Sequence, residues 1–107
     1  MSDKKLIISF VTVDNIETAK NIAQSLIEKR LAACVNILPN IISIYRWKGN
    51  IENDQELLLK IKSTSEKYPD LEKEVKKLHP YETVEVIAVE ATNSNPDYLN
   101  WVIEETS

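Results

Sequence analysis

Two side chains in this 107-residue chain combine metal affinity with proton chemistry near neutrality: its single cysteine, Cys34, and its single histidine, His79. Cys34 lies in the apolar run Leu31–Val35, where a free cysteine packs as a small buried hydrophobe or serves as a soft metal ligand or oxidisable thiol. His79 precedes Pro80 at the end of a helical pattern that also holds Lys76 and Lys77. A cation there complements the helix dipole, and an imidazole fixed between a helix end and a proline is also suited to bind a metal or carry a proton. Glu82, just beyond, is either a solvated carboxylate or a partner for that imidazole. His79, Cys34 and Glu82 are therefore the candidate metal ligands. A closed soft-metal site needs about four ligands, more than one thiol, one imidazole and the thioether of Met1 provide. The expected binding is weak, with Cu²⁺ ahead of other divalent ions by the usual order of affinities.

A second constellation is cationic and aromatic. Lys60 and Lys62 alternate with Leu59 and Ile61, which puts two ammonium groups on one sheet face. They are solvated there, or they hold an anion in a cleft between subunits. Lys60 and Tyr81 are the candidate residues for such a small anionic ligand, with Tyr81 equally suited to an interface. Tyr45, Arg46, Trp47 and Lys48 crowd one turn, a grouping common among interface anchors. The stretch from Glu52 to Glu56 is acidic and lacks the spacing of a calcium loop.

Composition excludes several function classes. Thirteen Lys and Arg against seventeen Asp and Glu leave a net charge of −4, unlike the basic face that displaces counterions from nucleic acid. One glycine, Gly49, cannot build a Gly-rich phosphate loop. No nucleophile–base pair or cofactor motif is evident, so no enzymatic activity is expected. No apolar run exceeds the five residues of Leu31–Val35, so neither a membrane span nor a signal-peptide core is expected. The lone cysteine and the plain start Met1-Ser2-Asp3-Lys4-Lys5 suit the cytoplasm.

These residues need elements to position them, and one domain over residues 1–107 is the expected unit. Leu6–Val13 reads as a strand covered on both faces. Asp14 and Glu17 have capping-box spacing, and Ile16, Ala19, Ile22, Ala23, Leu26 and Ile27 continue a helix to about Arg30. Ala32–Lys48 reads as one long strand kinked at Pro39, and Gly49-Asn50 as a hairpin turn returning through Ile51–Thr64. Ser65 caps a second helix with Pro69 in its first turn, ended by His79-Pro80. Thr83–Ala91 is the last strand, and Asn95-Pro96 opens a final helix carrying Tyr98, Leu99, Trp101 and Val102.

The order is β-α-β-β-α-β with an extra C-terminal helix, the α+β pattern of a ferredoxin-like sandwich with both crossover helices on one sheet face. The other face should then be polar, yet Leu6–Val13 and Val84–Val89 are largely apolar in both phases. Hairpin strands of roughly 14–17 residues, against a usual length of about 5–6, would reach on the order of 50 Å. Their far end carries Ile41, Ile42, Ile44, Tyr45 and Trp47, an apolar ribbon that needs a partner. Burial alone predicts an oligomer.

Three runs carry a family resemblance: Leu31-Ala32-Ala33-Cys34-Val35-Asn36, Ser43-Ile44-Tyr45-Arg46-Trp47-Lys48-Gly49 and Leu78-His79-Pro80-Tyr81-Glu82. Together they resemble the CutA family of divalent-cation tolerance proteins over about Ile8 to Trp101. Thr83-Val84 departs from the Val-Pro that often follows Pro-Tyr-Glu in the family. The resemblance implies a ferredoxin-like homotrimer with hairpins wrapping neighbours, a part in copper and divalent-metal tolerance, and weakly bound Cu²⁺ or another divalent cation. The alternative is a trimeric signalling module similar to the PII nitrogen-regulatory proteins, taking a small anionic ligand in the intersubunit cleft.

Overall fold

A computed structural model describes residues 4–107. Strand β1 is Leu6–Val13, helix α1 Ile16–Glu28, strands β2 and β3 Cys34–Trp47 and Asn50–Thr64, helix α2 Tyr68–Leu78, strand β4 Val86–Glu90 and helix α3 Pro96–Glu105. The strands form one antiparallel sheet in the order β2-β3-β1-β4. This is the α+β ferredoxin-like arrangement expected from the element order, with a long hairpin and an extra C-terminal helix.

Local chemistry sets the boundaries. The cap of α1 is Asn15, whose side chain accepts the Thr18 N–H at 2.8 Å, one residue later than the expected Asp14. Asp14 instead accepts from the Asn15 side chain at 2.8 Å. The helix stops at Glu28, short of Arg30, because Arg30 turns left-handed at φ 57°. Its N–H reaches the Ile27 carbonyl and that of Leu31 the Leu26 carbonyl, the paired bonds of a Schellman cap. In β2, Leu38 pairs with Leu58 and Ile41 with Glu56, so Pro39 and Asn40 together oppose Leu57. That two-against-one count is the bulge expected at Pro39, which has no N–H to give the ladder. Trp47 pairs with Asn50 across Lys48 and Gly49, so the hairpin reverses one residue earlier than Gly49-Asn50. Both turn residues have positive φ (49° and 85°), the signature of a two-residue type I′ turn.

Two further expectations need adjustment. The Ser65 hydroxyl does not cap α2: it accepts the Lys5 N–H at 3.2 Å, and a 3-10 turn at Ser65–Lys67 leads into the helix. Strand β4 is shorter than Thr83–Ala91, since its ladder with β1 runs only from Val86 opposite Val11 to Glu90 opposite Ile7. Residues 83–85 are released to line a cleft.

Val11, Val13, Leu59 and Ile61 face the helices and pack with Ile22, Leu26, Leu71 and Val75, all fully buried. A hydrogen-bonded clamp joins α1 to α2: Glu74, itself buried, accepts from the Ser25 hydroxyl at 2.6 Å and from the Lys29 ammonium at 2.9 Å. The opposite sheet face holds Ile8, Phe10, Lys60, Lys62, Ile87 and Val89 in register. Ile87 and Val89 are half-exposed there. Beyond the end of β1 the hairpin continues alone, and Ile42, Ile44 and Ile51, on one side of it, are 67%, 68% and 71% exposed. The molecule is 48 Å long, in keeping with the hairpin length the sequence requires.

Candidate functional site

The end of α2 and the loop after it cross the end of β1 and meet the hairpin. His79, the residue after α2, is buried to 7% exposure. Its Nε2 lies 2.7 Å from the Thr12 carbonyl oxygen, and its Nδ1 accepts the Tyr81 N–H at 3.2 Å. A carbonyl only accepts and an amide N–H only donates, so the neighbours dictate the neutral tautomer with the proton on Nε2. Both ring nitrogens are thereby engaged by backbone.

The Tyr81 ring packs edge-on against the imidazole at 4.4 Å between centroids, and its phenol donates to Glu56 Oε2 at 2.7 Å. Glu56 is 6% exposed, so this carboxylate leans on Tyr81 for a partner. Burial, then the bond to Glu56, and then the charges of Glu56 and Asp14 push the Tyr81 phenol well above the ordinary tyrosine value. A second phenol–carboxylate pair lies further out, where Tyr45 donates to Asp54 Oδ2 at 2.5 Å. That bond is the main reason the Tyr45 phenol is pushed up to about 12. Glu82 faces solvent and pairs with Lys48 at 3.5 Å, while the same ammonium sits 5.5 Å from the centre of the Trp47 ring.

Between hairpin and loop lies a cleft of about 980 Å³ lined by Tyr45, Trp47, Tyr81 and the carboxylates of Asp14, Asp54, Glu56, Glu82 and Glu85. Its chemistry is anionic and aromatic. The carboxylates do not converge: among the described residues no group of three or more His, Cys, Asp or Glu is disposed to hold a metal.

The remaining candidates stand elsewhere. Cys34 is half-buried on the sheet face away from α1 and α2, opposite Lys62, which in turn opposes Ile8. The Lys62 ammonium donates to Asn36 Oδ1 and lies 3.8 Å from the Cys34 sulfur. Tyr98 of α3 reaches the same spot, its phenol pushed up by burial and then by Cys34. His79 meets β1 at Thr12, four residues along from Ile8. With two strand spacings across, Cys34 and His79 are on the order of 15 Å apart. Lys60 is half-buried opposite Phe10, four residues along β3 from the Glu56 that holds Tyr81. Met1 lies outside the described residues.

Sequence reasoning missed the two phenol–carboxylate pairs and the cleft. Asp54 and Glu56 do alternate on one side of β3, but their meeting with Tyr45 and Tyr81 depends on strand register and on the path of the loop after α2.

The CutA1 divalent ion tolerance protein family matches residues 7–105. The mouse protein CutA is 52% identical over 98 residues, 92% of this chain and 55% of that protein, so the chain spans about half of its length. The divalent-cation tolerance protein CutA of Thermus thermophilus is 49% identical over 96 residues, 90% of this chain and 93% of its own length. A solved structure of the divalent cation tolerance protein (Cut A1) from Thermus thermophilus superposes with a TM-score of 0.93 at 46% identity, covering 95% of this chain and 99% of that one. With nearly every described element inside these matches, the chain belongs to the CutA1 divalent ion tolerance family.

Proposed function

We propose that this protein acts in copper and divalent-metal homeostasis as a homotrimer that performs no catalysis and binds divalent cations weakly. The observation that carries assembly is the uncovered apolar surface. Ile42, Ile44 and Ile51 on the hairpin, and Ile87 and Val89 on the open sheet face, are at least half exposed. Patches of this kind call for a protein partner. The separation of the soft donors supports weak metal binding: Cys34 sits beside Lys62, and His79 gives both nitrogens to backbone. Glu82 and its neighbours offer hard oxygen donors around an open cleft, where waters would complete a loose coordination shell.

Light scattering at micromolar protein should give three times the 12.3 kDa chain mass, and a monomer would refute the assembly. Titration calorimetry should show Cu²⁺ binding at micromolar affinity or weaker and ahead of other divalent ions. Nanomolar binding would refute the open site. The family's description names divalent ions, so the reading of Lys60 and Tyr81 as an anion site ranks second. A thermal-shift screen of metals against nucleotides and organic acids separates the two, since a ligand of the folded state raises its melting temperature.

A further inference from the structure

We infer that the cleft binds a linear aliphatic polyamine, held by carboxylates spaced along β3 and by the aromatic rings beside them. The register of the hairpin sorts its side chains onto two unlike sides. Ile42, Ile44 and Ile51 share one, the side whose exposure argues for assembly. Tyr45, Trp47, Glu52, Asp54 and Glu56 share the other, because Tyr45 opposes Glu52, Trp47 opposes Asn50 and side chains alternate along a strand. The Tyr45 phenol responds to all three carboxylates: its bond to Asp54 first, and further down the charges of Glu56 and Glu52, push it up to about 12.

These carboxylates lack the cation that a buried charge calls for. Glu56 is 6% exposed, and its one side-chain hydrogen bond among the described residues comes from the neutral Tyr81 phenol. Among the described residues no ammonium or guanidinium lies within ion-pair distance of Glu52, Asp54 or Glu56, and no Lys or Arg lines the cleft. Buried charges are ordinarily paired, so a carboxylate buried under a phenol alone is a charge left for a ligand to neutralise. Tyr45 and Tyr81 take one oxygen each of Asp54 and Glu56, which fixes both carboxylates and leaves the second oxygen of each for an ammonium.

Spacing selects the shape of that cation. Carboxylates two residues apart on a strand stand about 7 Å apart. A divalent metal held tightly draws its oxygens to within about 2.0–2.6 Å of one point, which such a row does not do. Two ammonium groups joined by four methylenes are about 6 Å apart when extended, from ordinary C–C and C–N bond lengths, and so reach successive carboxylates. The methylenes between them are apolar and suit the rings of Tyr45, Trp47 and Tyr81 in the cleft wall. The chain makes the same pairing once with itself at the hairpin turn. There the Lys48 ammonium is 3.5 Å from Glu82 and 5.5 Å from the centre of the Trp47 ring. Glu82 and Glu85, across the cleft, extend the negative field beyond the row on β3.

Amide magnetic resonance of the whole protein, titrated with spermidine at about 0.15 M salt to screen loose counterions, tests this. Shifts at Tyr45, Asp54, Glu56 and Glu82 should saturate together with an affinity of about 1 mM or tighter. Hexaamminecobalt(III), a compact cation of the same charge, should bind about tenfold more weakly, because it meets one carboxylate at a time. Asp54→Asn should weaken spermidine binding about tenfold, the worth of one charge-assisted hydrogen bond. Glu28→Gln removes the same charge from the end of α1 and should leave the affinity unchanged. Equal affinity for the two cations would overturn the polyamine site, and so would an Asp54→Asn protein that binds spermidine undiminished. Shifts that never saturate, or a Glu28→Gln effect as large as that of Asp54→Asn, would mean general attraction to a chain of net charge −4 and refute the site.

Discussion

Ser9 places a hydroxyl among methyl groups. It is fully buried on the side of β1 that faces the helices, and among the described residues its Oγ has no hydrogen-bond partner. An unsatisfied buried donor costs about 1–3 kcal/mol, so Ser9→Ala should stabilise the fold by about 1 kcal/mol, read as a raised urea midpoint. Ser63, equally buried on β3, is the control: its hydroxyl donates to the Leu31 carbonyl at 2.6 Å. Ser63→Ala should cost about 1 kcal/mol by the same measurement, because it strips a partner from a backbone acceptor. The same kind of substitution thus has opposite signs on neighbouring strands. Gly49 isolates a backbone effect, since a Cβ there would meet nothing within 4 Å while φ is +85°. Gly49→Ala should cost on the order of 1 kcal/mol through left-handed strain alone, and a neutral melting temperature would show that the turn relaxes.

At the scale of elements, α1 and α2 are joined by a charge that responds to pH. The hydrogen bond from Ser25, and then that from Lys29, hold the Glu74 carboxyl below its ordinary value against the opposing effect of burial. A carboxyl lowered on folding contributes stability that is complete above the unfolded value, about 4.3, and is lost as pH falls through the lower folded value. Acid should therefore loosen the helix pair. Glu74→Gln should flatten the dependence of melting temperature on pH below about 4.3, and an unchanged acid slope would assign it to other carboxylates. The hairpin is controlled differently. Its bulge at Pro39-Asn40 sits near the point where β3 leaves β1, so the twist it adds falls on the part of the ribbon that extends past the body.

For the whole molecule, the proposed assembly turns on the apolar side of that extension. Ile44 is 68% exposed in the isolated chain, so Ile44→Asp should leave the monomer fold intact while shifting the light-scattering mass toward a single chain. Loss of helical circular dichroism together with loss of mass would instead make assembly and folding one event, as in obligate oligomers. A mass unchanged at micromolar protein would mean that this side of the hairpin faces water in the assembly.

Local sequence information was enough for the element order, the long hairpin, its bulge at Pro39 and a tight turn at Gly49. Each rests on something carried by a few neighbouring residues: apolar periodicity, a missing N–H, a residue tolerant of positive φ. Even there the details that slipped were ones in which adjacent groups compete. Asn15 took the capping role from Asp14, and Ser65 served Lys5 rather than its own helix. The chemistry around His79 arises only in three dimensions. A histidine at a helix end reads from sequence as a complement to the helix dipole, or else as a metal ligand or proton carrier. The carbonyl of Thr12, 67 residues earlier, is what occupies one of its nitrogens. The same holds for Tyr81 with Glu56 and for the distance between Cys34 and His79. Strand order and register set those relations, and pairing between distant segments leaves no periodic trace in either of them.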